Sequence, residues 1–311
     1  MIITIRDANG NVNNSVCAAA LIAGMTAITK SKKTLILQFT PPTEKNVLTV
    51  MAGKSIRENS LLYSFQDDGL DSLALKADNN DLSKEHFDEC VSPILEKENM
   101  LDVLKPTKVE QYKTITSNEV FESIITGSKG VYEYIYIIIP GNADQELSDL
   151  VTKQSDEDLL LIRQGEDFSE PYNNGKTSLV VDDYEESSKY DLHYIKKKCG
   201  VKKVYTIPHN VAAMDAMKSE TLLDYLLTNR KNMKTDANYN LYSSLLSLIE
   251  LFVTDKKQDD EGELEEEFRD NEKTPLLEPE ESSILPENAV QEVIVKKGLF
   301  RRKEKNIMIN F

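Results

Sequence analysis

Ile2-Ile3-Thr4-Ile5-Arg6-Asp7-Ala8-Asn9-Gly10-Asn11-Val12-Asn13-Asn14-Ser15-Val16-Cys17-Ala18-Ala19-Ala20-Leu21-Ile22-Ala23-Gly24-Met25 follows Met1, and its reading decides the fold. Residues 2–5 form a short β-branched run that suits a strand. Asn9-Gly10-Asn11 is turn chemistry, because glycine and asparagine tolerate backbone angles that other residues avoid. Small and apolar residues dominate Ser15–Met25, which predicts a helix packed tightly against its neighbours. Thr34–Phe39 is a second strand, stopped by Pro41-Pro42. Strand, glycine-containing loop, small-residue helix and strand make a βαβ unit, which implies a parallel sheet and a right-handed crossover.

The alternation continues outward from this unit. Residues 54–92 read as helical and amphipathic, with polar interruptions around Asp78–Asp81. Met100–Leu104 is a strand candidate, and Glu119–Thr126 reads as a helix. Tyr134–Ile139 is apolar without alternation, as expected of a central strand covered on both faces. Further strands are read at Leu159–Ile162, Ser178–Val181 and Lys203–Ile207, with a helix at Asp191–Lys198. Helices follow at Val211–Met217, Thr221–Leu227 and Tyr239–Val253, the last with apolar residues at helical spacing. The expected fold is therefore α/β, a doubly wound and mostly parallel sheet. Met214 and Met217 read as core filler, Tyr132, Tyr134 and Tyr136 as packing residues, and His209 as a turn residue.

Charge divides the 311 residues into three parts. The α/β domain is read as residues 1–254. Residues 255–288 carry 14 acidic and four basic residues with three prolines, and are read as a disordered acidic linker. Residues 289–311 carry six basic and two acidic residues among apolar ones, a basic-apolar tail. The net charge of −16 opposes non-specific nucleic-acid binding, since phosphates would be repelled. Three scattered cysteines and three separated histidines fit a reducing cytosol and show no metal-ligand spacing. No secretory signal and no membrane span are read from the sequence, so a cytoplasmic protein is expected.

The loop itself lacks the charges that phosphoryl chemistry needs. In a working P-loop, backbone N–H groups cradle phosphates, a lysine neutralises them and a hydroxyl binds Mg²⁺. Here Gly10, Asn11, Val12, Asn13, Asn14 and Ser15 form the loop, and no lysine or arginine lies between Asp7 and Ile28. Ser15 stands where the hydroxyl would be wanted. The same stretch also reads as an ordinary βα turn, with asparagines tolerating unusual dihedrals. Asp182 and Asp183 offer two carboxylates in sequence, but no nucleophile or metal set accompanies them.

Over residues 1–253 the order of these pieces resembles the ParA/MinD superfamily of deviant P-loop ATPases. The family's KGGVGKTT loop corresponds to Asn9–Val16, so its two lysines fall on Asn9 and Asn14. Its second strand, of the form LLIDLDPQ, corresponds to Leu35–Pro41, so two aspartates fall on Gln38 and Thr40. Its central strand, of the form YDYIIIDTPPG, corresponds to Tyr132–Gly141, so the metal-supporting aspartate falls on Ile138. Leu179–Tyr184 resembles the family's VxNRY strand, and Val204–Asn210 resembles the "IP" turn beside the base. The resemblance thereby implies a base side at Asp182 and Pro208.

The resemblance implies a P-loop NTPase fold without its ATPase chemistry, because phosphoryl transfer rests on the charges replaced here. No catalytic residue, metal or obligatory cofactor is expected, and residual ATP or ADP binding by the vestigial loop stays open. Leu104-Lys105-Pro106-Thr107-Lys108 and the "IP" turn look most like the TadZ/CpaE group, positioning proteins of pilus machines. The chain has no receiver-like domain of the kind many of that group carry. The implied function is a non-catalytic positioning or scaffold protein for a bacterial machine such as a pilus or secretion apparatus. Its partners would be protein components of that assembly, in a homodimer or a heterodimer with an active paralogue. Lys296, Lys297, Leu299, Phe300, Arg301, Arg302 and Lys303 resemble the amphipathic membrane-targeting helix that closes MinD-type proteins. A soluble basic terminus and a strand-adding segment are alternatives for that tail; lipid binding would put the protein at the inner face of the cell membrane. Two other readings of the whole stay open: a weak nucleotide-binding switch or enzyme using Gly10–Ser15, and an adaptor acting through its acidic linker.

Overall fold

A single eight-stranded sheet carries the described part of the chain, in the order β3-β4-β2-β5-β1-β6-β7-β8. The structure, a computed structural model, describes residues 1–40, 46–58, 69–78, 82–95, 101–107, 117–141, 143, 145–166, 176–201, 203–230, 238–250 and 252. The strands are β1 (Ile2–Asp7), β2 (Thr34–Gln38), β3 (Ser92–Leu95), β4 (Leu101–Leu104), β5 (Tyr134–Ile138), β6 (Glu157–Arg163), β7 (Thr177–Tyr184) and β8 (Val204–Pro208). All pairings are parallel except β3 with β4. The helices are α1 (Val12–Lys30), α2 (Val47–Glu58), α3 (Leu70–Asp78), α4 (Lys84–Cys90), α5 (Asn118–Lys129), α6 (Gln145–Gln154), α7 (Leu192–Cys199), α8 (Val211–Lys218), α9 (Leu222–Asn229) and α10 (residues 239–250). The predicted acidic linker 255–288 and tail 289–311 lie outside the described residues.

β1 sits between β5 and β6, so its carboxyl end opens at the middle of the sheet. The apolar run of β5 is continuous because both faces are covered. Tyr136 and Ile138 join the core shared with α1, whereas Ile135 and Ile137 join the core shared with α3, α5 and α6. α1 is buried nearly all round, which its small residues permit. A Cβ at Gly24 would stand 2.8 Å from Leu226 and 2.9 Å from Met51, so α9 and α2 approach α1 closely there. α1 reaches the length and apolarity of a membrane-crossing helix, contrary to the sequence reading, but 72% of that window is buried inside the fold.

Polar groups inside the sheet are paired, as burial requires. Arg6 makes a two-pronged bridge to Asp158, at 3.0 and 2.7 Å, and Thr177 donates to the same carboxylate at 2.8 Å. The hydroxyls of Thr26 and Tyr136 share a buried hydrogen bond of 2.6 Å. Tyr132 donates to Asp102 at 2.8 Å, and burial raises the Asp102 carboxyl above its ordinary range. These tyrosines therefore bond as well as pack, a role their alternation did not reveal.

Several boundaries differ from expectation. The region read as one interrupted helix over residues 54–92 contains the end of α2, then α3, α4 and the antiparallel edge strand β3. Only three or four residues of β3 carry the signal, too few for periodicity to register. α6 was missed because only Leu147 and Val151 of its ten residues are buried. Met214 and Met217 are half-buried at the edge of the core rather than filling it, since α8 presents Ala213 and Ala216 inward.

Candidate functional site

The β1–α1 loop turns on one carboxylate. Asp7 ends β1 and is buried, with 3% of its surface exposed. The backbone N–H groups of Asn9 and Asn11 both donate to its Oδ1, at 2.9 and 3.0 Å. The Asn14 side-chain amide donates to its Oδ2 at 2.9 Å. Gly10 adopts φ 76°, which a glycine accommodates without cost to a Cβ, and its N–H reaches the Asp7 carbonyl at 3.1 Å. Asn11 caps α1, accepting from the Asn13 N–H at 3.1 Å through its side chain. Its carbonyl accepts from Asn14 and Ser15, at 3.1 and 3.4 Å. Six loop N–H groups, those of residues 9, 10, 11, 13, 14 and 15, thus find their acceptors within the loop and its supporting strand.

The chain beyond β5 closes on this turn. A Cβ at Gly141 would lie 1.8 Å from the Asp7 carbonyl oxygen and 3.0 Å from Gly10 Cα. Only glycine allows the two backbones to come so near. From the other side, Arg163 at the end of β6 donates to the Asn14 side-chain oxygen at 3.1 Å. Arg163 stands opposite Asp182 in the β6–β7 register. Burial pushes the Asp182 carboxyl up to about 6; Arg163 opposes this, while Asp183 and Asp7 add to it. The sequence reading found no cation near the loop, and the fold supplies one from far along the chain.

The other predicted positions have structural partners of their own. Gln38 is fully buried, donates to Thr40 Oγ1 at 2.9 Å and accepts from the Val47 N–H at 3.2 Å. The side chains at the two expected aspartate positions therefore bond to each other and to the start of α2. Ile138 is fully buried in the apolar core. Asn9 is exposed. Ser15 is fully buried at the start of α1, and its Oγ has no hydrogen-bond partner among the described residues.

The base-side landmarks lie at the ends of β7 and β8. Asp182 and Asp183 do not form an acid–base pair: strand alternation sends Asp182 toward Arg163 and leaves Asp183 exposed. Asp183 adopts φ 58° and binds His209 Nδ1 at 2.6 Å. That hydrogen bond and the carboxylate charge raise the His209 pKa above its ordinary value. His209 is thus a turn residue with an ionic partner. A cavity of about 620 Å³ opens beside it, lined among others by Tyr184, Glu185, Thr206, Pro208, His209 and Asn210. Asn210 is held in place by Ala213, Tyr225 and Asn238. Of the predicted site residues, Pro208 lines this cavity, while Gly10–Ser15 and Asp182 do not. Lys296, Lys297, Leu299, Phe300, Arg301, Arg302 and Lys303 lie outside the described residues.

The donor set of the loop does not fit a nucleotide phosphate. The Asn9 and Asn11 amides already face the Asp7 carboxylate, Asp182 adds a second carboxyl nearby, and residues 9 and 14 are asparagines rather than cations. An incoming phosphate would meet like charge where a cation is needed. Asp7, Arg163 and Gly141 were not singled out from the sequence. Asp7 had a legible signal, an acidic residue directly ahead of a glycine turn; Arg163 had none.

No protein-family model matches the chain, and no curated protein matches it. Solved structures do. A ParA family ATPase from Chlorobium tepidum TLS is 16% identical, with 79% of this chain and 96% of that chain covered at a TM-score of 0.61. A chain of the MinC:MinD cell division protein complex of Aquifex aeolicus is 14% identical, covering 80% and 95% at 0.53. The cell division ATPase MinD of Pyrococcus furiosus is 14% identical, covering 81% and 98% at 0.53. At such identities the likeness establishes architecture: the chain has the α/β P-loop fold that ParA and MinD ATPases share.

Proposed function

We propose that this chain is a non-catalytic ParA/MinD-like protein that positions or scaffolds a larger protein assembly. The observation that supports it most is the loop, in which the Asp7 carboxylate takes the Asn9 and Asn11 amides and Asn9 and Asn14 stand where the resemblance puts lysines. Phosphoryl transfer depends almost wholly on positioning and electrostatic stabilisation, and the charges for both are replaced. One structure of this fold is a chain of the MinC:MinD cell division protein complex. A bacterial machine such as a pilus or secretion apparatus is the assembly we assign, in keeping with the Leu104–Lys108 segment and the "IP" turn.

In this reading the chain dimerises with itself or with an ATPase-active paralogue, and no nucleotide is needed. The purified full chain with ATP and Mg²⁺ is expected to release phosphate no faster than buffer. Hydrolysis abolished by Asn14→Ala or Ser15→Ala overturns the reading. Sedimentation is expected to give the same oligomer with and without ATP and Mg²⁺. The tail is the proposed membrane contact: flotation with anionic vesicles should need residues 289–311, and equal flotation without them removes lipid from the list of partners.

A further inference from the structure

Loops that join a strand to a helix N-terminus bind anions because their N–H groups converge and the helix dipole favours negative charge. In this chain such a loop already has its anion. Asp7 Oδ1 accepts two converging backbone N–H groups, and Oδ2 accepts the Asn14 amide at the head of α1. Arg163 grips the far side of that amide, so a cation acts on the carboxylate through Asn14 rather than on any bound molecule. Gly141 seals the turn against the backbone of β1. Ser15 Oγ, in the first turn of α1, is fully buried and has no hydrogen-bond partner among the described residues.

We propose that the Asp7 carboxylate is the permanent, built-in ligand of this loop, standing where loops of this shape take a phosphate. The loop is thereby locked in a ligated conformation and closed to phosphate and pyrophosphate groups. Removing the carboxylate uncovers a latent site for a phosphate-class anion, built from the Asn9 and Asn11 amides and the Asn14 side-chain amide, with Arg163 behind Asn14. The proposal deepens the non-catalytic reading and rests on it for its setting, but the two fail separately.

Two measurements on the full chain test it. In the native protein, amide hydrogen exchange should show Asn9 and Asn11 protected without any ligand, and unchanged by added pyrophosphate. Free exchange that slows on the order of tenfold or more with pyrophosphate overturns the proposal. In Asp7→Ser the melting temperature should fall by about 5 °C, because two backbone amides and the Asn14 side chain lose a charged, buried acceptor. Pyrophosphate should restore much of that fall in Asp7→Ser and leave the native melting temperature unmoved. An unchanged melting temperature in Asp7→Ser, or the same pyrophosphate response in both proteins, overturns it. If Asp7→Ser does not fold, the exchange measurement on the native chain decides alone. Native ATP hydrolysis would sink the non-catalytic reading; pyrophosphate binding without hydrolysis would sink only the built-in ligand.

Discussion

Two ends of the same sheet are built to opposite designs. At the end of β1, Asp7 is buried and its oxygens are bonded from three directions within the loop. At the ends of β7 and β8, Asp183 and His209 form an exposed ion pair beside an open cavity of about 620 Å³. The first is closed by the chain's own groups, and the second keeps accessible polar surface. The β7–β8 end therefore keeps its polar groups open to solvent, while the β1 end holds its carboxylate within its own hydrogen bonds.

The strongest way to break that contrast is at the base of the closed end. Arg6→Met leaves the Asp158 carboxylate buried with only Thr177 to support it, and should cost about 4 kcal/mol in denaturant unfolding. A cost below about 1 kcal/mol would show that the strand tolerates an unpaired buried charge. Gly141→Ala comes next. Its Cβ cannot coexist with the Asp7 carbonyl, so the two backbones must separate, at about 3 kcal/mol.

Asp182 sharpens the comparison through pH. Its folded pKa, about 6, is raised above the ordinary value of 3.8, so folding favours the protonated carboxyl. The native fold therefore loses stability as pH rises from about 4 to about 6, and the loss is complete above that window. Asp182→Asn should add about 2 kcal/mol at pH 7.5, after allowance for partial solvent access, and almost nothing at pH 4. Equal gains at both pH values would remove the titration from the account.

The smallest effect belongs to the open end. The raised His209 pKa means that its pair with Asp183 contributes at pH below the ordinary histidine value and fades as pH rises through the raised one. Asp183→Asn should lower the His209 pKa, read by its NMR titration, with hardly any change in melting temperature. A large melting shift would mean that this end, too, is structural.

Much of the architecture was legible in local pattern. The β-branched residues 2–5, the Asn-Gly turn and the small-residue run to Met25 specify β1, the loop and α1 through propensity and turn chemistry alone. The unbroken apolar run of β5 announced a strand covered on both faces. β3 and α6 escaped, because one is four residues long and the other buries only two side chains. In the candidate site, Gly10 and Asn11 lie in the strand-to-helix turn, whereas Val12–Ser15, read as loop, form the first turn of α1. The cation near the loop was not legible, since Arg163 is a neighbour only in space.

Sequence alone therefore determined that a glycine-bearing loop joins a central strand to a buried helix, and that no lysine or arginine lies between Asp7 and Ile28. Tertiary structure decided what surrounds that loop. The bonds from the Asn9 and Asn11 amides to Asp7 are local, but Gly141 closes over the turn and Arg163 reaches Asn14 across 149 residues of chain. Turn and strand propensities act over a few residues and can be read in order. A charge finds its partner through the packing of the whole sheet, which no local pattern encodes.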